Sequence, residues 1–175
     1  LLRYHSPQFT TVMLRPATVC GYSPRMRFDL TVNILTNHAV NRRVITVFGG
    51  SQKRPNIHIE DLAELYVQLL ELPDRLVGGE IFNAGYHNYT VAELADMVRV
   101  VVEREMPDTA PIRIETRPRD DPRSYHVSSQ KIARQLGYVP TRTVEDAIGL
   151  GGSGPYSEQP DQLPGRVGLR LGVPE

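Results

Sequence analysis

Residues Arg54 to Glu71 read R-P-N-I-H-I-E-D-L-A-E-L-Y-V-Q-L-L-E, and a change of hydrophobic period inside them decides the fold class. Pro55 biases Arg54 towards extended geometry. Ile57 and Ile59 then alternate with Asn56 and His58, the period of a strand with one buried face. Glu60 and Asp61 follow, acids placed where the positive end of a helix dipole favours them. Beyond them Leu62, Leu65, Tyr66, Leu69 and Leu70 recur at helical spacing, which predicts a helix with these residues as its inner face. Pro73 stops it. The segment is a strand feeding directly into a helix, with an arginine at its mouth. His58 reads as a packed strand residue and Asp61 as part of the helix start.

The same alternation runs through the rest of the chain. Thr11 to Val19 predicts a strand, Asp29 to Val40 a helix with Leu30, Ile34 and Leu35 inside, and Val44 to Phe48 a short strand ended by Gly49 and Gly50. Glu80 to Ala84 predicts another strand. Thr90-Val91-Ala92-Glu93 spells a capping box, opening a helix that buries Val91, Leu94, Ala95, Val98 and Val102. Ile112 and Ile114 mark a strand, Ser128 to Leu136 a helix closed by Gly137, and Thr143 to about Ile148 a last short helix. Strands and helices in alternation give an α/β fold. The expected organisation is an irregular start over residues 1–10, an α/β portion over 11–150, and a Gly- and Pro-rich tail over 151–175 that reads as disordered.

Composition narrows the function. The 175 residues carry 20 basic and 20 acidic groups, a formal net charge of zero with no like-charge block. That argues against nucleic-acid binding or a polybasic membrane clamp. Cys20 is the single cysteine, so neither an intrachain disulfide nor a cysteine zinc cluster can form, and no metal site is expected. Cys20 itself reads as a small buried residue. No apolar run approaches a membrane span, and no signal peptide opens the sequence, so a cytoplasmic location is expected. Gly149-x-Gly151-x-x-Gly154 spells a dinucleotide fingerprint, but it follows a helix instead of a strand and leads into Pro155, so it forms no phosphate cradle. Asn88-Tyr89-Thr90 spells a glycosylation sequon and reads instead as turn and cap.

Arg54 to Ala63 also resembles a segment of the extended short-chain dehydrogenase/reductases: Arg, two residues, an apolar residue, His or Tyr, Val or Ile, any residue, Asp. This is the family of NAD-dependent nucleotide-sugar epimerases and dehydratases. Leu14-Arg15-Pro16-Ala17-Thr18-Val19-Cys20-Gly21 is similar to the family's strand-to-loop motif, with Cys20 and Tyr22 where relatives carry Tyr and Pro. Ser23 to Leu30 resembles the loop that covers the substrate, and Asp121-Pro122-Arg123 the Asp-x-Arg element before the late helix. The resemblance covers roughly Val12 to Leu150. It implies that Arg54 and Arg123 bind the nucleotide diphosphate, that Arg25 and Arg27 lie near it, and that Thr18 faces the nucleotide sugar. Ala17 and Val19 would pass near the nicotinamide of NAD. A guanidinium suits the diphosphate role, because its fixed fork of donors matches phosphate oxygens and stays charged.

Two family features are absent from these residues. Relatives hold the NAD pyrophosphate in a Gly-rich loop of an N-terminal βαβ unit, and shuttle a proton with Tyr-x-x-x-Lys during hydride transfer. Here the only lysines, Lys53 and Lys131, have Gly49 and Val127 four residues before them. The resemblance therefore implies the C-terminal, substrate-binding portion of an extended Rossmann-type enzyme without its dinucleotide-binding βαβ units. It would bind a UDP-, GDP- or dTDP-linked sugar, lack a catalytic residue of its own, and not hold NAD alone. A missing N-terminal half is then an expected partner, with no nucleic acid or membrane involved. Two alternatives stay open: a non-catalytic nucleotide-sugar-binding module, or a truncated fragment without function.

Overall fold

Strand and helix alternate along the chain. The computed structural model describes residues 2–118 and 124–149. The first strand run is split at Ala17 into β1 (Met13–Pro16) and β2 (Thr18–Cys20). Helix α1 (Thr31–Arg42), β3 (Val44–Phe48), β4 (Lys53–His58) and α2 (Ile59–Glu71) follow. Next come α3 (Asp74–Val77), β5 (Ile81–Ala84), β6 (His87–Thr90) and α4 (Val91–Glu105). Then β7 (Arg113–Arg117), α5 (Gln130–Leu136) and α6 (Val144–Ile148) complete the described elements. The irregular start contains a 3-10 turn at Leu2–Tyr4. The tail over 151–175 lies outside the described residues.

Splitting the first strand lets it serve two sheets. β1 pairs in parallel with β5, Met13 opposite Ile81, while β2 pairs in parallel with β4, Thr18 opposite Asn56. β4 is central in a three-stranded sheet, with β6 antiparallel on its other edge, and β3 pairs in parallel with β7. β6 differs from the sequence reading, which placed a turn at Asn88-Tyr89-Thr90. Its polar residues earn strand geometry by pairing with β4, a non-local cause.

Burial along the Arg54 segment also differs from expectation. The alternating period predicts one buried face, yet residues 55–58 are all buried, Asn56 included, and His58 is packed as its own reading has it. A central strand covered on both faces loses its alternation, and Ile59 begins α2 instead of extending the strand. The buried polar groups are bonded locally: Asn56 Nδ2 donates to the Arg54 carbonyl at 2.8 Å, and His58 Nδ1 accepts the Glu60 N–H at 3.1 Å. In α2 the docked stripe is Asp61, Leu62, Leu65 and Leu69, whereas Tyr66 and Leu70 are 50% and 88% exposed. Only a narrow stripe of this helix meets the sheet. α1 likewise buries Val32, Leu35 and Ala39, with Leu30 left at its cap and Ile34 half-buried.

Two apolar clusters hold the elements. One joins α1, β3, α4 and α6 through Leu35, Ile45, Val47, Leu94, Val98 and Ile148. The other joins α2, β4, β5 and α5 through Ile57, Leu65, Leu69, Phe82 and Ile132. The Thr90–Glu93 capping box forms, as does one at Thr143–Asp146. Among the described residues, no helix is long and apolar enough to cross a membrane.

Candidate functional site

Arg54 stands near the start of β4, held at both its backbone and its side chain. In the ladder it opposes Tyr89 of β6. Its Nη1 donates to the Lys53 carbonyl at 2.9 Å, and its Cζ lies 5.0 Å from the centroid of the Tyr125 ring. Thr18 pairs with Asn56, two residues further along β4. Strand geometry therefore sets the Cα atoms of Thr18 and Arg54 about 8 Å apart, one strand over and two residues along. Arg123 lies outside the described residues. It directly precedes Ser124, whose Oγ accepts the Lys53 N–H at 2.9 Å.

Arg25 and Arg27 line a different region. With Val19, Gly21, Ser23, Leu30, Asn33 and Ile59 they surround a cavity of about 140 Å³. Arg27 is engaged by the Asp29 carboxylate, with Nε donating to Oδ1 at 3.0 Å, and Asp29 is held below the usual carboxylate range by that hydrogen bond. Both side chains are more than half exposed, so the pair contributes little and can exchange partners. The α1 N-terminus borders the same cavity, and its Leu30 cap offers no side-chain acceptor to the first amides. Ile59 follows the last residue of β4, five steps from Arg54, or about 16 Å along a strand. The structure thus brings Arg54 near Thr18, and Arg25 with Arg27 to the other end of β4. Ala17, between the two, is 8% exposed, and its Cβ packs at Gly85.

A third cluster lies where β4 becomes α2. His58, Tyr22, Glu60, Arg142, Asp146 and Gly149 line a polar cavity of about 490 Å³. Arg142 reaches Glu60, Asp61 and Glu64, each at 2.8 Å. Asp61, 2% exposed, also accepts the backbone N–H groups of Thr141 at 3.1 Å and Arg142 at 2.9 Å. These charges are occupied by one another, which makes the cluster a latch between α2 and the chain before α6. Cys20 is inert for the same kind of reason: burial pushes its thiol up to about 12, far from thiolate chemistry.

His58 gives this latch a pH dependence. Burial lowers its pKa, with a further lowering from Arg142, outweighing the raising effect of Glu60, Asp61 and Asp146. Protonation also removes the acceptor that caps α2. A depressed pKa means that the unfolded chain takes the proton first, so stability is full above the ordinary histidine value and falls as pH drops below it. His38, lowered by burial and Arg42, acts with the same sign. Replacing His58 by Asn keeps a capping oxygen without the titration. Unfolding free energies from urea titrations between pH 7.5 and 5.5 should fall more steeply for wild type than for His58→Asn, by up to about 1.4 kcal/mol per pH unit. Parallel slopes would show that His58 does not titrate on unfolding.

The sequence reading gave Tyr125 and Asn88 no role at the site. Their partners lie far away in the chain, and neither belongs to an apolar period.

This architecture is that of the extended short-chain dehydrogenase/reductases. UDP-glucuronic acid 4-epimerase from Bacillus cereus, solved with UDP-glucuronic acid and NAD, superposes with a TM-score of 0.63 at 22% identity, over 83% of this chain and 44% of that one. ADP-L-glycero-D-manno-heptose-6-epimerase from Helicobacter pylori gives 0.65 at 19%, over 82% and 43%. Residues 1–85 match the NAD dependent epimerase/dehydratase family model. UDP-glucose 4-epimerase from Corynebacterium glutamicum is 33% identical over 132 residues, covering 67% of this chain and 37% of the relative. dTDP-glucose 4,6-dehydratase from Neisseria gonorrhoeae is 28% identical over 139 residues, covering 73% and 39%. The chain spans under two-fifths of the length of these curated relatives.

Two of the strand-to-helix junctions lack the features of an NAD cradle. A dinucleotide pyrophosphate needs free amides on a glycine turn between a strand and a helix. Here the β4–α2 junction is capped by His58 and the β6–α4 junction by the Thr90 capping box, and neither contains glycine.

Proposed function

We propose that this chain forms the nucleotide-sugar side of the cleft of an NAD-dependent epimerase or dehydratase, and that turnover requires sequence beyond these residues. The observation that carries the reading is Arg54, anchored near the start of β4 with Thr18 one strand across. A nucleotide sugar is long and carries its charge on a diphosphate. Such a ligand suits a cleft with cationic groups at both ends of one strand, Arg54 at one and Arg25 with Arg27 at the other. Arg123 would add a second diphosphate contact, and Ala17 and Val19 would border the nicotinamide in the assembled enzyme. The relatives named above act on UDP- and dTDP-linked sugars by their names, which supports this substrate class without choosing the base or the reaction.

Calorimetric titration with UDP-, GDP- and dTDP-sugars tests the reading. Arg54→Ala should weaken saturable binding by roughly 1.5–3 kcal/mol, the range for hydrogen bonds to a charged group. No binding to a folded wild-type sample would defeat it.

A second reading, a non-catalytic nucleotide-sugar-binding module, is favoured by the capped, glycine-free strand-to-helix junctions. The two differ in what covers the exposed flank of α2, where Tyr66, Val67 and Leu70 are 50%, 56% and 88% exposed. In the enzyme reading, a dinucleotide-binding half packs there and turnover appears when that half of a relative is supplied in trans. In the module reading, ligand binds and no turnover follows.

A further inference from the structure

The geometry points to Tyr125 as the positioning residue for Arg54, held in place by a strap of chain laid along β4 and β6. This rests on the reading of Arg54 as a diphosphate ligand.

The strap is residues 124–128. Lys53 N–H donates to Ser124 Oγ at 2.9 Å, and Tyr125 N–H donates to the Lys53 carbonyl at 3.3 Å. Asn88 then grips the backbone of Val127 from both sides, accepting its N–H at 2.8 Å and donating to its carbonyl at 3.0 Å. Asn83 Nδ2 donates to the Ser128 carbonyl at 3.3 Å. Five hydrogen bonds fix a segment without secondary structure, and the ring they carry is 48% exposed. Burial therefore does not explain why the ring is held.

Its contact does. The Lys53 carbonyl accepts from both Tyr125 N–H and Arg54 Nη1, so one oxygen sets the register of the ring's backbone and of the guanidinium. The Arg54 Cζ stands 5.0 Å from the ring centroid. The face of an aromatic ring offers no oxygen or nitrogen acceptor to the guanidinium N–H donors. The ring can thus restrict the Arg54 rotamers without competing for the donors that would fork onto a diphosphate. A restricted side chain loses less freedom when ligand binds.

The test is a double-mutant cycle read by calorimetry with a UDP- or dTDP-sugar, each variant checked for folding by its thermal transition. Tyr125→Phe keeps the ring face and should bind like wild type. Tyr125→Leu should weaken binding about two- to fivefold, the exposed range for a cation–π contact. In an Arg54→Ala background, the Tyr125→Leu change should have no effect, because the ring acts only through the arginine. An equal loss in both backgrounds would mean that the ring touches ligand itself, and would overturn the assignment. Equal binding by wild type and Tyr125→Leu would overturn it as well, leaving the Arg54 reading intact. A folded wild-type chain that binds no nucleotide sugar would remove both.

Discussion

Asp61→Ala is expected to destabilise the chain by about 3–5 kcal/mol, the cost of leaving two buried backbone donors without an acceptor at about 1–3 kcal/mol each. The Asp61 carboxylate is 2% exposed and receives bonds from the Thr141 and Arg142 backbone amides, from Thr141 Oγ1 at 3.3 Å, and from Arg142 Nη1 at 2.8 Å. Tyr138 Oη adds a bond to the Asp61 carbonyl at 2.9 Å. Alanine would leave two backbone donors without their acceptor, in a place where water enters poorly, while Arg142 Nη1 would keep Glu64 Oε2 at 3.1 Å. Glu60 and Glu64 would still hold Arg142 at the surface, but their exposed carboxylates cannot reach inward to the amides. Urea unfolding followed by far-UV circular dichroism reads the loss. Asp61→Asn, which keeps one acceptor oxygen, should recover part of it. A loss below 1 kcal/mol for the alanine variant would mean that the 141–142 turn re-forms its bonds elsewhere, and that the latch is incidental.

The latch shows where a sequence stops being legible. Asp61 is readable as a helix-start acid, because the dipole argument is local. That it binds residues 80 and 81 positions away is a property of the folded chain. The same division holds elsewhere. Both capping boxes and the Gly137 stop of α5 follow from short-range rules, and they form. The inner face of α4 was readable but for Val101, since a helix covered along its length by β3, α1 and α6 shows its period. In α2, Tyr66 and Leu70 continue the apolar pattern and yet face outward, because a pattern says which residues are apolar and not what is present to cover them. β6 carried no strand signal, for its geometry comes from pairing with β4. At the candidate site, the place of Arg54 at the mouth of a strand was legible from the local period, while its role is what the family resemblance implies. Tyr125 was not, since its relation to Arg54 depends on a 71-residue separation closed by Ser124 and Lys53.

Gly21→Val is expected to be nearly as damaging, on the order of 4 kcal/mol. Gly21 ends the strand that carries Thr18 and adopts φ +103°, a region that a β-branched residue does not enter without strain of about 1–3 kcal/mol. Space adds to this. A Cβ there would stand 3.1 Å from His58 Nε2 and 3.2 Å from Ile59 Cγ2, both at the β4–α2 junction. Neither neighbour can retreat freely. His58 is fixed by its cap to Glu60 N–H and Ile59 opens a helix, so the added methyls act as overpacking, worth about 1–3 kcal/mol more. Relief would come by moving the loop outward, which would open the cavity that Gly21 shares with Arg25 and Arg27. Thermal unfolding reads the stability term. Titration with a nucleotide sugar reads the displacement, and binding should weaken at temperatures where the variant is still folded. Gly21→Ala meets the same φ penalty with fewer atoms and should fall between. If alanine and valine cost the same, the φ penalty and the Cβ contact that both share set the requirement for glycine, and the extra methyls of valine add nothing.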